Sequence, residues 1–313
     1  MVIFVEINCL DFVMRKLITA LMPPVIVNFG KSIYYFFLRE RTYSIDGCEV
    51  LLPPQHRLDL IQKRVKTYDM FLPILSEHLD KEKYVIDVGA NIGDSAIPFL
   101  KKGIKTICVE PSEYFFSYLK KNLASNGFEK NTVLIKKFVS NSTTKINLFI
   151  KDGTASTLMH QSDTEAVEDV SSFVTLDNLL EVNGANVSLV KVDTDGFDFD
   201  VILSGINGLR ENEPILFFEN MITQKNVKDY QQAYKALESI GYDKIAIFDN
   251  LGNIILDNST WGNVISLNRY TLGRDAIPFY YTDIVCCTAR NSALVQRSLE
   301  QFNTRYNSQN IVG

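Results

Sequence analysis

The run Asp87-Val88-Gly89-Ala90-Asn91-Ile92-Gly93 follows a short apolar stretch, Tyr84-Val85-Ile86, and leads into a segment of helical composition from about Asp94. Glycines at a strand end let backbone approach a ligand with no Cβ in the way, and open α/β sheets bind ligands at the carboxyl ends of their strands. The next β-like stretch, Thr106-Ile107-Cys108-Val109, ends in Glu110-Pro111, 17 residues after Gly93. A carboxylate in that place can accept both hydroxyls of a ribose. The glycine spacing is G-x-x-x-G, whereas a pyrophosphate seated on a helix N-terminus calls for G-x-G-x-x-G. Asp87 and Asp94 would repel a pyrophosphate and suit the ammonium and sulfonium of S-adenosylmethionine. Asp87, Gly89, Asn91, Gly93, Asp94, Glu110 and Pro111 are therefore the expected cofactor-binding residues, with S-adenosylmethionine as the expected cofactor.

Methyl transfer is an in-line displacement, accelerated by holding the acceptor behind the methyl carbon, and a hydroxyl acceptor must also lose its proton. Asp193 and Asp195 end a fourth strand, and Glu219 and Asn220 a fifth, so all four are expected at the crevice along the carboxyl edge of the sheet. Asp193, Asp195 and Glu219 are the catalytic candidates; Asp193, Glu219 and Asn220 offer oxygen ligands to magnesium as a second cofactor, in the position of the metal site of catechol-type O-methyltransferases. A histidine base is the third option, with His56 and His160 as candidates. Lys191, in mid-strand, either enters the crevice or neutralises Asp193. Asp177 is expected to cap a helix at Asn178–Leu180. Trp261, Tyr270, Tyr280 and Tyr281 either pack or stack on a sugar ring.

The elements that must position these groups are legible as an alternation. Strand-like runs at Tyr84–Asp87, Thr106–Glu110, Thr132–Val139, Val187–Asp193, Ile215–Glu219, Lys244–Phe248 and Asp283–Cys287 are separated by helical stretches, several closed by Gly103, Gly127 and Gly241. The pattern predicts a doubly wound, mostly parallel seven-stranded α/β sheet of Rossmann-like type. Lys145–Ile150 reads as an added strand, and Ile254–Asp257 as a hairpin return onto the Lys244–Phe248 strand. Thr154–Val170 and Asn258–Pro278 read as loops over a substrate. Residues 1–80 are expected to form an N-terminal helical cap, 81–290 the catalytic domain and 291–313 a tail.

At these residues the sequence resembles the FkbM-type methyltransferases. The resemblance is carried by Ile86 to Asp94, Val109-Glu110-Pro111-Ser112, Thr175-Leu176-Asp177, Val190-Lys191-Val192-Asp193 with Asp195-Gly196, and Phe217-Phe218-Glu219, and it covers about Tyr84 to Asn220. Family members usually follow the fourth-strand acid with an acidic residue, glycine and a further acid. Here this reads Asp195-Gly196-Phe197-Asp198, with Asp where Glu is commoner. The resemblance implies O-methylation, often of sugars or other hydroxylated natural products. A sugar or glycan acceptor is the expected partner. Leu51-Leu52-Pro53-Pro54-Gln55-His56-Arg57-Leu58 resembles the leading segment of members associated with bacterial surface-glycan synthesis.

Composition sets the outer limits. With 313 residues, 46% hydrophobic and 22% charged, the chain has the balance of a globular protein with a sizeable core. A net charge of −5 gives no general field for phosphate backbones, so nucleic acid is not expected as a partner. The five cysteines show no metal or disulfide spacing and point to a reducing, cytoplasmic location. Leu17 to Phe37 is apolar but broken by Pro23-Pro24 and Gly30-Lys31, which disfavours a spanning helix; helices there would pack, pair with another copy or lie peripherally on a membrane. Two other readings stay open: an inactive binding module on the same scaffold, and a nucleotide-dependent oxidoreductase, which the glycine spacing disfavours.

Overall fold

The computed structural model describes residues 39–54, 56–142, 144–151, 153–156, 166–182, 186–223, 226–272 and 281–307. The apolar N-terminal stretch, His160 and Tyr280 lie outside the described residues. No helix among the described residues is long and apolar enough to cross a membrane.

The described chain begins with a hairpin, β1 (Arg41–Ile45) and β2 (Cys48–Leu52), where the sequence was expected to be helical. Its turn is Asp46-Gly47, both at positive φ, which is the geometry that favours tight hairpins over a helix here. The alternating burial of β2 puts Val50 and Leu52 in the core. Two short helices follow, α1 (Leu58–Arg64) and α2 (Phe71–Ser76). Residues 65–70 between them form a strap, held where Thr67 Oγ1 donates to the Leu251 carbonyl at 2.8 Å.

The alternation then runs as predicted: β3 (Tyr84–Val88), α3 (Ile97–Lys101), β4 (Lys105–Val109), α4 (Glu113–Ser125) and β5 (Thr132–Ile135). Ser112 caps α4 by accepting from the Phe115 amide at 3.4 Å. The expected strand Thr132–Val139 is two strands, because the chain leaves the sheet at Lys136-Lys137; β6 (Phe138–Val139) pairs instead with β10 (Phe173–Val174). Between them β7 (Ile146–Lys151), β8 (Thr154–Ser156) and β9 (Ala166–Val170) form a separate three-stranded antiparallel arm. After α5 (Leu176–Leu180) come β11 (Val187–Val192), α6 (Asp198–Leu203), α7 (Ile206–Asn212), β12 (Ile215–Asn220), α8 (Val227–Ser239), β13 (Lys244–Asp249) and β14 (Ile254–Ser259). The stretch expected to be a loop from Asn258 holds α9 (Trp261–Thr271), capped by Thr260, and the expected C-terminal tail holds α10 (Ser292–Phe302) after β15 (Thr282–Cys287). Both helices bury apolar side chains against the sheet, Trp261 and Val264 from α9 and Val295, Leu299 and Phe302 from α10.

The main sheet has the order β14-β13-β15-β12-β11-β3-β4-β5. β3, β4, β5, β11 and β12 are mutually parallel, β15 runs antiparallel between β12 and β13, and β14 is the predicted hairpin return that makes an eighth strand. Successive strands depart in opposite directions from the β3–β11 junction. That is the topological switch point of a doubly wound sheet, where a ligand crevice opens. Helices cover both faces, so central strands such as β3 and β11 read as continuous apolar runs.

Candidate active site

The loop after β3 is held by backbone on both sides. The amides of Gly89 and Ala90 donate to the Val109 carbonyl at 2.9 and 3.0 Å, and the Asp193 amide donates to the Val88 carbonyl at 3.0 Å. Gly89 has φ +78°, and a Cβ there would lie 1.8 Å from the Asp193 carbonyl oxygen, so no other residue fits. Gly93, at φ +92°, lets α4 approach: a Cβ would lie 2.8 Å from Leu119. Asn91 takes a left-handed conformation (φ +47°) that turns its amide onto Glu110 Oε2 at 2.9 Å. The second oxygen, Oε1, accepts from the Ser112 amide at 2.9 Å. Glu110 is thus fixed at the end of β4, and burial raises its carboxyl to about 7 despite these two amide bonds.

Beside the loop, Asp87 is fully buried and accepts from Ser95 Oγ at 2.6 Å. Lys191 lies opposite it on β11, with Nζ 3.2 Å from Asp87 and 3.3 Å from Asp193. Burial alone would lower the lysine, but Asp87, Asp193 and Asp94 together hold it well above its ordinary value. Of the two sequence readings for Lys191 the structure shows the ion pair, and with Asp87 as well as Asp193. Asp94 sits nearby with its carboxyl raised to about 6, chiefly by burial.

A crevice opens at the switch point, lined among others by Gly89, Asn91, Glu110, Pro111, Asp193 and Asp195. Leu148 and Ala155 of the arm form another wall. The arm is tied down at three points: Asn91 Nδ2 donates to the Gly153 carbonyl at 3.0 Å, Thr154 Oγ1 donates to Asp195, and Glu168 accepts from the Glu113 and Tyr114 amides at the start of α4. The part of Thr154–Val170 expected to cover a substrate therefore walls the crevice through Ala155, while residues 157–165 lie outside the described residues.

Past Asp193 the chain turns through Asp195, at φ +51°. Asp198 holds this turn by accepting from the Thr194 and Gly196 amides, each at 3.2 Å. Burial raises Asp195 to about 6 and Asp198 to about 7. Glu219, at the end of β12, is 6% exposed, and its Oε2 has no hydrogen-bond partner among the described residues. Burial, then Asp198, Asp193, Asp195 and Asp283, push its carboxyl well above the ordinary range. The structure thus brings Asp193, Asp195 and Glu219 together.

Asn220 does not join them. Consecutive strand residues point to opposite faces, so Glu219 and Asn220 cannot turn to one ion. On the far face Asn220 Nδ2 donates to Asn268 at 2.9 Å and Thr282 at 2.8 Å, and its Oδ1 accepts from Tyr234. No group of three or more His, Cys, Asp or Glu side chains among the described residues is arranged to hold a metal. The ligand set expected for magnesium does not fit that ion.

Other expectations are settled by contacts. His56 is buried beside Asn91 of the cofactor loop, its Nδ1 3.5 Å from the Leu58 amide, and burial lowers it to about 4, so it stands there as a neutral ring. The cap of α5 is Thr175, in a capping box with Asn178; the expected cap, Asp177, instead accepts from the Gly208 amide at 2.8 Å and Asn207 at 3.1 Å, joining α5 to α7. Trp261 is core, stacked 4.6 Å from Tyr234 with Nε1 donating to the Tyr242 carbonyl. Tyr270 is exposed on α9, and Tyr281 lies beside Asp283 and Tyr68. The sequence reading missed Tyr68, Asp69 and Asp283, which also face this acidic edge. A lone acid in the apolar run Thr282–Cys287 was a signal for Asp283; nothing in the sequence marks the strap.

A family model described as Methyltransferase FkbM domain matches residues 87–244. No curated protein sequence matches the chain. Among solved structures, the methyltransferase FkbM from Methylobacillus flagellatus KT is 14% identical, with 65% of this chain and 43% of that one covered and a TM-score of 0.40. TYW2 from M. jannaschii, in complex with AdoMet, is 13% identical over 80% of this chain and 85% of its own, TM-score 0.40. An rRNA methylase from Streptococcus thermophilus is 14% identical over 70% and 94%, TM-score 0.40.

Proposed function

Because the chain belongs to the Methyltransferase FkbM domain family, we propose that it transfers the methyl group of S-adenosylmethionine to a hydroxyl of a sugar or glycan precursor. The residues fit this donor. Glu110 lines the crevice as an acceptor for the ribose hydroxyls, the glycine loop admits close backbone contact, and Asp193 and Asp195 line the same crevice as partners for the donor's positive groups. The sulfonium supplies an activated methyl carbon with a neutral thioether as leaving group.

The observation that carries the hydroxyl acceptor is Glu219: a buried carboxyl at the end of β12, on the same sheet face as Asp193, with an oxygen that has no hydrogen-bond partner among the described residues, and raised well above the usual carboxylate range. Such a group is suited to take a hydroxyl proton as the C–O bond forms and the C–S bond breaks, its electron pair staying on sulfur. Asp193 and Asp195 keep Glu219 basic by their charge. Incubation with methyl-labelled S-adenosylmethionine and neutral glycosides should place the label in an ether. Glu219→Gln should lower kcat by about 10²–10⁴. The base must be ionised, so kcat/KM should rise with pH above the ordinary carboxylate range, and this limb should vanish in Glu219→Gln. Label appearing on amines alone, or an unchanged pH profile in the variant, would refute the reading.

A further inference from the structure

Behind Glu219, on the far face of the sheet, buried polar side chains close a hydrogen-bonded ring. Asn220 Nδ2 donates to Asn268 Oδ1 at 2.9 Å, Asn268 Nδ2 donates to the Tyr234 hydroxyl at 2.9 Å, and that hydroxyl donates to Asn220 Oδ1. A spur leaves the ring where Asn220 Nδ2 also donates to Thr282 Oγ1 at 2.8 Å. All four residues are buried, and they come from β12, α8, α9 and β15. Both amide hydrogens and the carbonyl oxygen of Asn220 are thereby used, and the Tyr234 hydroxyl both donates and accepts.

Strand register ties this ring to the acids on the other face. Asn220 is directly opposite Thr282, and Glu219 is directly opposite Asp283. Side chains alternate along a strand, so the ring grips the residue next to Glu219 and the residue next to Asp283 from behind. The Tyr234 ring also meets Phe199 of α6 edge-on at 5.9 Å. Phe199 follows Asp198, whose carboxylate holds the Thr194–Gly196 turn. One tyrosine thus contacts what sets Glu219, Asp283 and, through Phe199, Asp198. Apolar side chains could fill the same space, but dispersion has no preferred direction, whereas a fully satisfied buried network makes strand ends rigid. Misplacing a reacting group by about 1 Å can cost about 10²-fold in rate.

Resting on the reading of Glu219 as the base, we infer that Tyr234 is a positioning residue for it, acting with Asn268 and Thr282 through Asn220. The ring locks the ends of β12 and β15 together, and this keeps the Glu219 carboxyl buried on the face it shares with Asp193.

The position of the base can be read without an acceptor. In the full chain carrying 13C at its glutamate carboxyls, the Glu219 signal is identified by its absence in Glu219→Gln and followed against pH by NMR. The groups facing it are Asp193, Asp195, Asp198 and Asp283, and Lys191 is engaged by Asp87 and Asp193. Tyr234→Phe and Thr282→Val each remove a ring or spur hydroxyl with little change of shape. In both, the Glu219 midpoint should fall toward the ordinary carboxylate range by about 0.5 pH or more, as the loosened carboxyl gains water. The affinity for S-adenosylhomocysteine should stay within about two-fold, because Glu110 and the glycine loop are untouched. Tyr242→Phe is the control: that hydroxyl donates to the Pro214 carbonyl at 2.7 Å, just before the opposite end of β12, and its loss should leave the midpoint in place. An unchanged midpoint in Tyr234→Phe, or in Thr282→Val where Tyr234→Phe does not fold, overturns the inference, as does an equal fall in Tyr242→Phe. A pH limb of kcat/KM that survives Glu219→Gln strikes instead at the reading of Glu219 as the base, since the carboxyl titration reports its position whatever its role.

Discussion

Lys191 carries more of the site than its place in the middle of a strand suggests. Its side chain is 6% exposed and its partner Asp87 1%, so each charge depends on the other for compensation inside the protein. Replacing it by methionine keeps the bulk but strands Asp87, and should lower stability by about 3–5 kcal/mol in denaturant unfolding. Because the folded state holds Lys191 above its ordinary value, the pair's contribution is complete at neutral pH and is lost only as pH climbs through that raised value. Loss of less than about 1 kcal/mol in Lys191→Met would mean that the ion pair is not the support of the loop. The same scale shows what single residues can disclose. Glu110 was readable because a carboxylate closing an apolar strand has few structural uses. Asn220 was misplaced because its type was weighed without its parity: adjacent to Glu219 in β12, it had to face the other way.

At the scale of elements, the strand–loop–helix unit from β3 to α3 is set by two close approaches of backbone, and its glycines are not interchangeable with glycines that merely end helices. Gly89→Ala would drive a methyl into the Asp193 carbonyl at a positive φ, whereas a Cβ on Gly103, also at positive φ (+82°), meets nothing within 4 Å. Gly103→Ala should cost about 1–2 kcal/mol, the left-handed penalty alone. Gly89→Ala should cost clearly more and abolish cofactor binding, measured by thermal unfolding and calorimetry; equal costs would show that the loop yields. The alternation of seven strands was legible because buried parallel strands are continuous apolar runs closed by glycine. The hairpin β1–β2 carried its signal in Asp46-Gly47, a turn pair flanked by alternating burial. Helix α9 was harder to see because its own apolar pattern is weak and it needs its tertiary contact, whereas α10 is an amphipathic run that was legible and was passed over as a tail.

For the whole molecule, topology does what no local reading can. β15 inserts antiparallel between β12 and β13, and this brings its first residues, Thr282 and Asp283, to the same edge as the ends of β11 and β12. Asp283 was a visible charge in a visible strand, yet its place at the site depended on strand direction, which the sequence does not state. The strap through Tyr68 and Asp69 is a still longer-range case, docked on the turn after β13 at a separation of 184 residues. Folding thus joins a glycine loop written locally to an acidic edge assembled from distant segments.

The switch-point crevice suits S-adenosylmethionine over a dinucleotide. Titration calorimetry of the chain with S-adenosylmethionine and with NADH, repeated on Glu110→Ala, addresses it directly. One-site binding of S-adenosylmethionine is expected, with no binding of NADH and at least a ten-fold weaker affinity in Glu110→Ala, since a hydrogen bond to a charged group is worth about 1.5–3 kcal/mol. Binding of NADH in place of S-adenosylmethionine, or an affinity indifferent to Glu110, would contradict it.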